Sequence, residues 1–336
     1  MDSATAVGAQ VNTDGRLAPL WLAVVLLLGG PASARAGEHY AVVITGAAGG
    51  EAYAEKYTKW RTAFVATLRD TFKYRPETVV VLGETEAEGV QKATRENVRR
   101  AFGDLRGRMA KDDQVLILLI GHGTSLDGEE AKFNLVGPDL SATEWAELVK
   151  SLPGRLVFVN ASSASFPFLR KLAARGRVVL TSTDSSAQHY ETVFPEFFIN
   201  AFSDAAADVD KNGRVSVWEA FNYASAEVKQ FYDQKGQLPT ERALIDDTGA
   251  GIGREAETPG NDGAVARVTY VQPDASVALP SDSSLATLVQ RQAELHSELE
   301  ALKARKESTP ADQYDAELER LLVDLARVSI QIRAKS

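Results

Sequence analysis

The sequence contains no cysteine among its 336 residues. Disulfide bonds, thiolate zinc sites and a cysteine nucleophile are therefore excluded. It also lacks an excess of basic residues, because 37 lysines and arginines face 46 aspartates and glutamates and the net charge is -9. This balance provides no basic surface for nucleic acid, and it suits calcium better than an anionic membrane. The 44% of hydrophobic residues indicates a globular protein with a sizeable core.

The N-terminal region lacks a hydrophobic run long enough to span a membrane comfortably. Its apolar stretch, residues 20–28, is short and is followed by Ala34-Arg35-Ala36, which is typical of a signal-peptidase site. We therefore expect residues 1–36 to be a signal peptide and the mature chain to begin near Gly37. The protein would then be exported, either periplasmic or secreted. The alternative is an uncleaved segment that anchors the protein to a membrane by its N-terminus.

Residues 208–219, which we call the acidic loop, have the spacing of an EF-hand calcium loop. The residues at its six ligand positions are Asp208, Asp210, Asn212, Arg214, Ser216 and Glu219. Arg214 would contribute only its backbone carbonyl, Glu219 could contribute both carboxylate oxygens, and Gly213 allows the sharp turn. The pattern predicts Ca²⁺ as a cofactor. The alternative is a solvated acidic turn before a helix.

Five short apolar runs alternate with amphipathic stretches along the first half of the chain. The runs are residues 40–44, 78–82, 115–120, 156–159 and 178–181. One helix is predicted over residues 53–72, and another begins after Thr94, a good N-terminal cap. Continuous apolar strands between such helices predict a three-layer α/β fold, in which a mostly parallel sheet is covered on both faces.

The second half of the chain has a less regular pattern. A helix is predicted from Trp218 to Phe231, an irregular acidic segment over residues 239–247, and a strand over residues 264–271. Residues 272–284 are rich in proline, aspartate and serine, which indicates a linker.

Residues 285–336 carry leucines at spacings of three and four, with a break at Thr309-Pro310. Two heptad-like helices with a short break predict an antiparallel, coiled-coil-like helical hairpin. The hairpin would either pack against the rest of the chain or mediate self-association.

Polar side chains follow three of the predicted strands. His122 and Gly123 follow the third strand, residues 160–165 follow the fourth, and Ser182 and Asp184 follow the fifth. Because functional residues in parallel α/β sheets lie beyond the carboxyl ends of the strands, these side chains are the candidates for chemistry.

This order of residues resembles the caspase-like cysteine peptidases, on their legumain and metacaspase side. In that family a His-Gly follows one buried strand, and the next strand leads into Asp-Ala-Cys, one variable residue and Ser-Gly. His122 and Gly123 match the first motif, and residues 160–165, Asn-Ala-Ser-Ser-Ala-Ser, match the second. Ser162 therefore stands where the family has its nucleophilic cysteine.

The resemblance implies a caspase-like domain, which we assign to residues 37–271, and a peptide or protein as ligand. Our leading hypothesis is an exported, calcium-binding, non-catalytic peptidase homologue that acts in binding or scaffolding. The reason is that a serine hydroxyl is far less acidic than a thiol and depends on a close base. No nucleic acid is expected as a partner.

The alternative is an active endopeptidase in which Ser162 is the nucleophile and His122 the base. The backbone amides of Gly123 and Ser162 would form its oxyanion hole, and Asp184 could orient His122. In a third interpretation His122 is a core histidine that is hydrogen-bonded within the sheet. His189 is a further candidate histidine, although its position before a helix favours a turn without chemistry.

Overall fold

The computed structural model describes residues 37–125, 128–274, 283–304, 306 and 309–335. The predicted signal peptide and most of the predicted linker lie outside these residues. Within the described part of the chain, no helix is both long and apolar enough to cross a membrane.

Ten strands form two sheets in the described residues. They are β1 (His39–Thr45), β2 (Val79–Gly83), β3 (Gln91–Lys92), β4 (Gln114–Ile120), β5 (Gly123–Ser125), β6 (Ala131–Phe133), β7 (Leu140–Ser141), β8 (Arg155–Asn160), β9 (Arg177–Thr181) and β10 (Leu244–Asp246). The main sheet has the order β10-β9-β8-β4-β1-β2-β3, and only β10 runs antiparallel to its neighbour. Strands β5, β6 and β7 form a small antiparallel sheet beside it.

Eight α-helices accompany the strands in the described residues. They are α1 (Glu51–Ala66), α2 (Arg95–Arg108), α3 (Ala142–Lys150), α4 (Phe166–Leu172), α5 (Phe194–Asn200), α6 (Val217–Gln234), α7 (Ser283–Ala304) and α8 (Ala311–Lys335). One face of the main sheet packs on α1, α5 and α6, and the other packs on α2, α3 and α4. The predicted three-layer α/β fold with a mostly parallel sheet is confirmed.

The central strands explain why the sheet is covered on both faces. All seven residues of β4 are buried. Alternate side chains of a strand point to opposite faces, so Leu118 enters one core and Leu119 the other. A strand that is apolar at every position requires cover on both faces, which the two helical layers provide.

Two helices of this domain begin at serines whose side chains complete capping boxes. Ser141 caps α3 together with Glu144, and Ser216 caps α6 together with Glu219. In each case the serine hydroxyl accepts from a backbone amide that has no partner within the helix, and the glutamate carboxylate accepts from the serine amide. Because Ser216 also lies in the acidic loop, the cap fixes the end of that loop.

The structure corrects two details of the predicted elements. The helix predicted to reach residue 72 is α-helical to Ala66 and continues as a π-turn, Thr67–Thr71. The strand predicted over residues 264–271 is wrong, because that segment contains a 3-10 turn, Ala266–Val268. The Asp247 carboxylate accepts from the backbone amides of Gly263 and Ala266, each at 2.8 Å. These two bonds curl the segment into a turn.

Helices α7 and α8 form the predicted antiparallel hairpin. Leu295, Leu302 and Leu321 are fully buried between the helices. Gln292 Nε2 donates across the interface to Ser329 Oγ at 3.0 Å. Helix α7 also contacts the 3-10 turn at Ala266–Val268, so the hairpin packs near the acidic loop.

The outer edge of the main sheet at β10 is covered by the chain itself. Ile245 and Arg254 exchange two backbone hydrogen bonds of 2.9 Å, and the opposite side of β10 pairs with β9. Strand β10 lies inside the segment predicted to be irregular, residues 239–247. The prediction is therefore wrong for these three residues, whose partners on β9 and at Arg254 lie outside that segment.

Candidate functional site

His122 lies between β4 and β5, at the carboxyl end of the central strand. Its Nε2 lies 3.1 Å from the carbonyl oxygen of Ala48 and 3.2 Å from the hydroxyl of Tyr57. Because a carbonyl can only accept, the contact with Ala48 requires a proton on Nε2. Nδ1 is then the ring nitrogen that could act as a base. Tyr53 packs edge-on against the same ring at 4.9 Å.

Ser162 follows β8, the neighbour of β4 in the sheet, and its side chain is fully buried. The hydroxyl donates to Asn160 Oδ1 at 2.7 Å, and the backbone amide of Ser162 donates to the same oxygen at 3.1 Å. The sheet therefore brings His122 and Ser162 to the same edge. Within the described residues, however, no hydrogen bond joins the imidazole to the hydroxyl.

Gly123 lies directly against the serines that follow β8. Its amide donates to Ser163 Oγ at 3.1 Å, and the same hydroxyl donates to the Gly123 carbonyl at 3.2 Å. A β-carbon at Gly123 would lie 2.2 Å from the Ser163 carbonyl oxygen, so only glycine fits here. Both amides predicted for an oxyanion hole, those of Gly123 and Ser162, already donate to side chains of the protein.

A set of buried polar side chains surrounds Ser162, and we call it the strand-end cluster. Its members are Asn160, Ser162, Ser163, Ser165, Ser182 and Thr183, and all are at most 1% exposed. Ser182 Oγ donates to the Ser162 carbonyl at 2.8 Å, and the Ser165 amide donates to Thr183 Oγ1 at 2.8 Å. The cluster satisfies most of its own polar atoms; Asn160 Nδ2 is the member atom without a partner among the described residues.

The other residues considered for a peptidase site lie apart from His122. Asp184 forms an ion pair with Arg242 at 3.4 Å, and its amide donates to Gln188 Oε1 at 3.1 Å. It therefore does not orient the histidine in this structure. His189 is exposed in the loop after β9.

The acidic loop lies between α5 and α6. Carboxylate oxygens of Asp208, Asp210 and Glu219 lie within 4.8 Å of one another. Two oxygens on opposite sides of one calcium ion are at most about 5 Å apart, because each Ca–O distance is about 2.3–2.6 Å. The spacing of the three carboxylates therefore fits a single calcium ion.

Backbone amides hold the acidic loop in its folded shape. The Gly213 amide donates to Asp208 Oδ2 at 2.9 Å, the Arg214 amide donates to Asn212 Oδ1 at 2.8 Å, and the Val209 amide donates to Glu219 Oε1 at 2.9 Å. Gly213 has a φ of 85°, which glycine adopts without strain. The turn required by the EF-hand pattern is thus present.

Electrostatics in the acidic loop favour a cation. The pKa of Asp210 is raised from its ordinary value, chiefly by loss of solvent, with a further contribution from the negative charge of Glu219. Two carboxylates that crowd one another gain from a shared cation, because the cation removes their repulsion. Asn212 completes this side of the loop, since its Nδ2 donates to Asp210 Oδ2 at 2.9 Å.

Glu241 and Arg61 are among the buried ionisable residues that the sequence analysis missed. Glu241 is 3% exposed and accepts from the amides of Val193 and Phe194 at 2.7 and 3.1 Å. Arg61 is 8% exposed within α1. Arg61 follows Tyr57 by four residues and precedes Phe64 by three, so a charge within the apolar stripe of the helix was its sequence signal. Glu241 has no comparable signal.

No family model and no curated protein sequence matches this chain. Among solved structures, it is similar to the Drosophila initiator caspase Dronc, with 9% identity, a TM-score of 0.43, and coverage of 67% of this chain and 85% of that chain. It is also similar to a protein of Geobacter sulfurreducens, with 12% identity, a TM-score of 0.40, and coverage of 62% and 92%. Likenesses of this degree carry no information about activity.

Proposed function

We propose that the protein is a non-catalytic, calcium-binding relative of the caspase-like peptidases that binds a peptide or protein ligand or acts as a scaffold. The observation that carries this proposal is the bonding of Ser162. Its hydroxyl is buried and donates to Asn160 Oδ1 at 2.7 Å. A serine nucleophile must instead pass its proton to a base within hydrogen-bond reach.

The surroundings of Ser162 support the same conclusion. The Nε2 of His122 is engaged by Ala48 and Tyr57, and no hydrogen bond among the described residues joins Nδ1, the possible base, to the Ser162 hydroxyl. The amides of Gly123 and Ser162 are engaged by Ser163 and Asn160. An oxyanion hole requires donors that point at the reacting oxygen, so catalysis would require both amides to leave their present partners.

The spacing of the carboxylates in the acidic loop supports calcium as the ligand of that loop. Side chains of Asp208, Asp210, Asn212, Ser216 and Glu219 and the backbone carbonyl of Arg214 would hold the ion. When bound, calcium neutralises the acidic side chains and links the end of α5 to the start of α6. The protein would then be more stable in calcium, because the ion binds the folded chain preferentially.

A peptide library tests the absence of catalysis. The purified protein is incubated with calcium and a diverse peptide library, and products are identified by mass spectrometry. We expect no cleavage by the native protein or by Ser162→Ala. The Ser162→Cys variant shows whether a more reactive nucleophile restores activity at the same position.

Cleavage by the native protein that disappears in Ser162→Ala would overturn the proposal and establish the alternative endopeptidase. A His122→Ala variant provides the matched test of the base, since a serine peptidase must lose activity in both variants. Ligand capture by an inactive protein is measured separately, by retention of library peptides on the immobilised native protein.

Export and self-association are further parts of the proposal. Leu321 and Leu325, which suggested association, are buried against α7. Leu322 and Ile330 are 50% and 65% exposed on α8, so association through the hairpin would use this outer face. Light scattering of the native protein and of a Leu322→Asn, Ile330→Asn double variant tests this; equal masses at a monomer's value would reject self-association.

A further inference from the structure

Arg61 is a buried cation without a counter-charge among the described residues. Its side chain is on the sheet-facing side of α1, and its Nη1 donates to Thr45 Oγ1 at 2.9 Å. No described carboxylate forms an ion pair with it, and burial alone lowers the pKa of the guanidinium. A guanidinium offers five N–H donors, and a buried charge without a partner is costly. The remaining donors are therefore available to a ligand.

The guanidinium lies across the carboxyl ends of two neighbouring parallel strands. Thr45 is the last residue of β1 and Gly83 the last residue of β2. A β-carbon at Gly83 would lie 2.2 Å from Arg61 Nη1, so glycine makes room for the guanidinium. The crevice beyond the carboxyl ends of parallel strands is the usual place for ligands in α/β sheets.

A cavity of about 190 Å³ opens at this position. Arg61 and Thr45 line it together with Tyr57 from α1, and Glu84 and Glu86 from the loop after β2. Glu84 is half-buried, and its Oε1 accepts from the Ala48 amide at 3.3 Å; Glu86 is exposed. The cavity thus has a buried positive charge and a negative rim.

We propose that this cavity binds a small zwitterion, such as a free α-amino acid with a short side chain. The carboxylate would pair with Arg61, whose planar guanidinium matches a carboxylate in two-point hydrogen bonding. The ammonium would face Glu84 and Glu86. At about 30 Å³ for each water molecule, the cavity holds the volume of roughly six waters, which suits glycine or alanine.

Simple ions fit this charge pattern less well. A lone carboxylate would pair with Arg61 but would also face the negative charge of Glu84. A lone ammonium would be attracted by the rim but repelled by the buried guanidinium. Only a ligand that carries both charges complements both ends of the cavity.

The site is separate from the proposed calcium and serine chemistry. Tyr57 lines the cavity, and its hydroxyl contacts His122 Nε2 at 3.2 Å, so the two sites are neighbours on the sheet. Binding of the zwitterion requires neither Ser162 nor the acidic loop. Its failure would leave the proposed function untouched, and the reverse also holds.

Isothermal titration calorimetry tests the proposal on the whole protein, with alanine, acetate and methylammonium as probes. We expect alanine to bind, acetate to bind about tenfold more weakly, and methylammonium not to bind, because each charge pair contributes about a factor of ten or more. Chelator and Ser162→Ala should leave alanine binding unchanged. Absence of alanine and glycine binding at millimolar concentrations would overturn the proposal.

Variants assign the binding to the cavity. Arg61→Gln should weaken alanine binding by about tenfold or more, whereas Arg106→Gln, which changes an exposed arginine on α2, should leave it unchanged. Glu84→Gln is a second variant, at a half-buried position, in case Arg61→Gln does not fold. It should reduce the preference for alanine over acetate. Equal preference in Glu84→Gln and the native protein, or full binding by folded Arg61→Gln, would contradict the assignment.

Discussion

The strand-end cluster and the acidic loop are both rich in polar side chains, but they satisfy those side chains differently. In the cluster, the Ser162 hydroxyl reaches Asn160 Oδ1 at 2.7 Å and the Ser182 hydroxyl reaches the Ser162 carbonyl at 2.8 Å. In the loop, carboxylate oxygens of three residues converge within 4.8 Å and accept from backbone amides. The first region is closed by its own bonds, whereas the second retains repulsion that an ion can remove.

The difference is the basis on which the proposed function assigns binding to one motif and no catalysis to the other. His122 Nε2 contacts the Ala48 carbonyl and the Ser162 hydroxyl donates to Asn160, and no described hydrogen bond joins the two side chains to each other. The acidic loop matches a motif and also brings the negative charges of Asp210 and Glu219 close together, which would favour the proposed cation. The proposed function therefore rests on how the polar atoms of each motif are bonded and not on residue identity alone.

The largest effect that would sharpen the comparison is calcium-dependent stability. Calcium at about a thousand times its dissociation constant should stabilise the native protein by about 4 kcal/mol, which raises Tm by roughly 10 °C. Asp210→Ala should lose this gain because it removes one converging carboxylate. Differential scanning calorimetry in calcium and in chelator measures both. The control variant Asp233→Ala, at an exposed site on α6, should melt as the native protein does. Equal Tm values for all three proteins in both buffers would contradict the calcium site.

A second prediction concerns Glu241, which accepts from the amides of Val193 and Phe194 at the start of α5. Burial raises its pKa from 4.5 to about 7, although the amides of Val193 and Phe194 oppose the rise. The folded protein therefore holds a proton that the unfolded chain releases between these values. The resulting stabilisation is full below the unfolded pKa and is lost as pH rises through the folded pKa.

Urea denaturation in chelator measures this effect. Between pH 4.5 and pH 7, the free energy of unfolding of the native protein should fall by about 3 kcal/mol relative to Glu241→Gln, since one pKa unit corresponds to about 1.4 kcal/mol. Glu88→Gln, at an exposed position, should follow the native curve. A native protein and a Glu241→Gln variant with parallel pH profiles would show that Glu241 titrates normally.

A smaller effect is expected at Ser162. Ser162→Ala removes one buried donor, while the Ser162 amide still serves Asn160 Oδ1, so the loss should be about 1 kcal/mol. Calcium affinity should not change, because no hydrogen bond or ion pair among the described residues joins the two regions. Chemical denaturation of the variant measures the free energy of unfolding, and calcium titration of the same variant measures the calcium affinity. A tenfold change in calcium affinity would break the separation between the two regions.

The smallest effect is expected at Arg214, which contributes its backbone to the loop. Its guanidinium stacks on Tyr270 at 4.0 Å and pairs with Asp274 at 2.8 Å. Arg214→Ala should weaken calcium binding by less than about threefold, whereas Glu219→Gln should weaken it by about tenfold or more. Calorimetric titration compares the two variants. Equal losses of calcium affinity would mean that the loop depends on the Arg214 guanidinium as much as on the Glu219 carboxylate.

The predictable parts of the fold are those determined by local pattern. The apolar run at residues 115–120 became β4, and the leucine repeat became α7 and α8. The false strand at residues 264–271 shows the limit. Its alternating residues are held in a turn by Asp247, sixteen residues before Gly263, and no local pattern contains that bond.

The candidate sites likewise divide into features that depend on local sequence and features that depend on tertiary contacts. The ligand spacing of the acidic loop is contained within a dozen consecutive positions, so its geometry could be anticipated. The orientation of Ser162 depends on which partner its hydroxyl selects among several groups buried beside it. The position of Arg61 depends on residues of two strands and a loop, none of which forms a described ion pair with its guanidinium. Such features arise from tertiary packing, and no pattern within one contiguous segment of the sequence predicts them.

The covered edge at β10 limits the ways in which copies of this protein can assemble. A sheet grows when a strand of one molecule pairs with an open edge of another. At β10 the partners of Ile245 are already supplied by Arg254, and at the other end β3 offers only two residues, Gln91 and Lys92. Both ends of the sheet are therefore poor templates for a foreign strand, and this architecture resists amyloid-like extension while the domain stays folded.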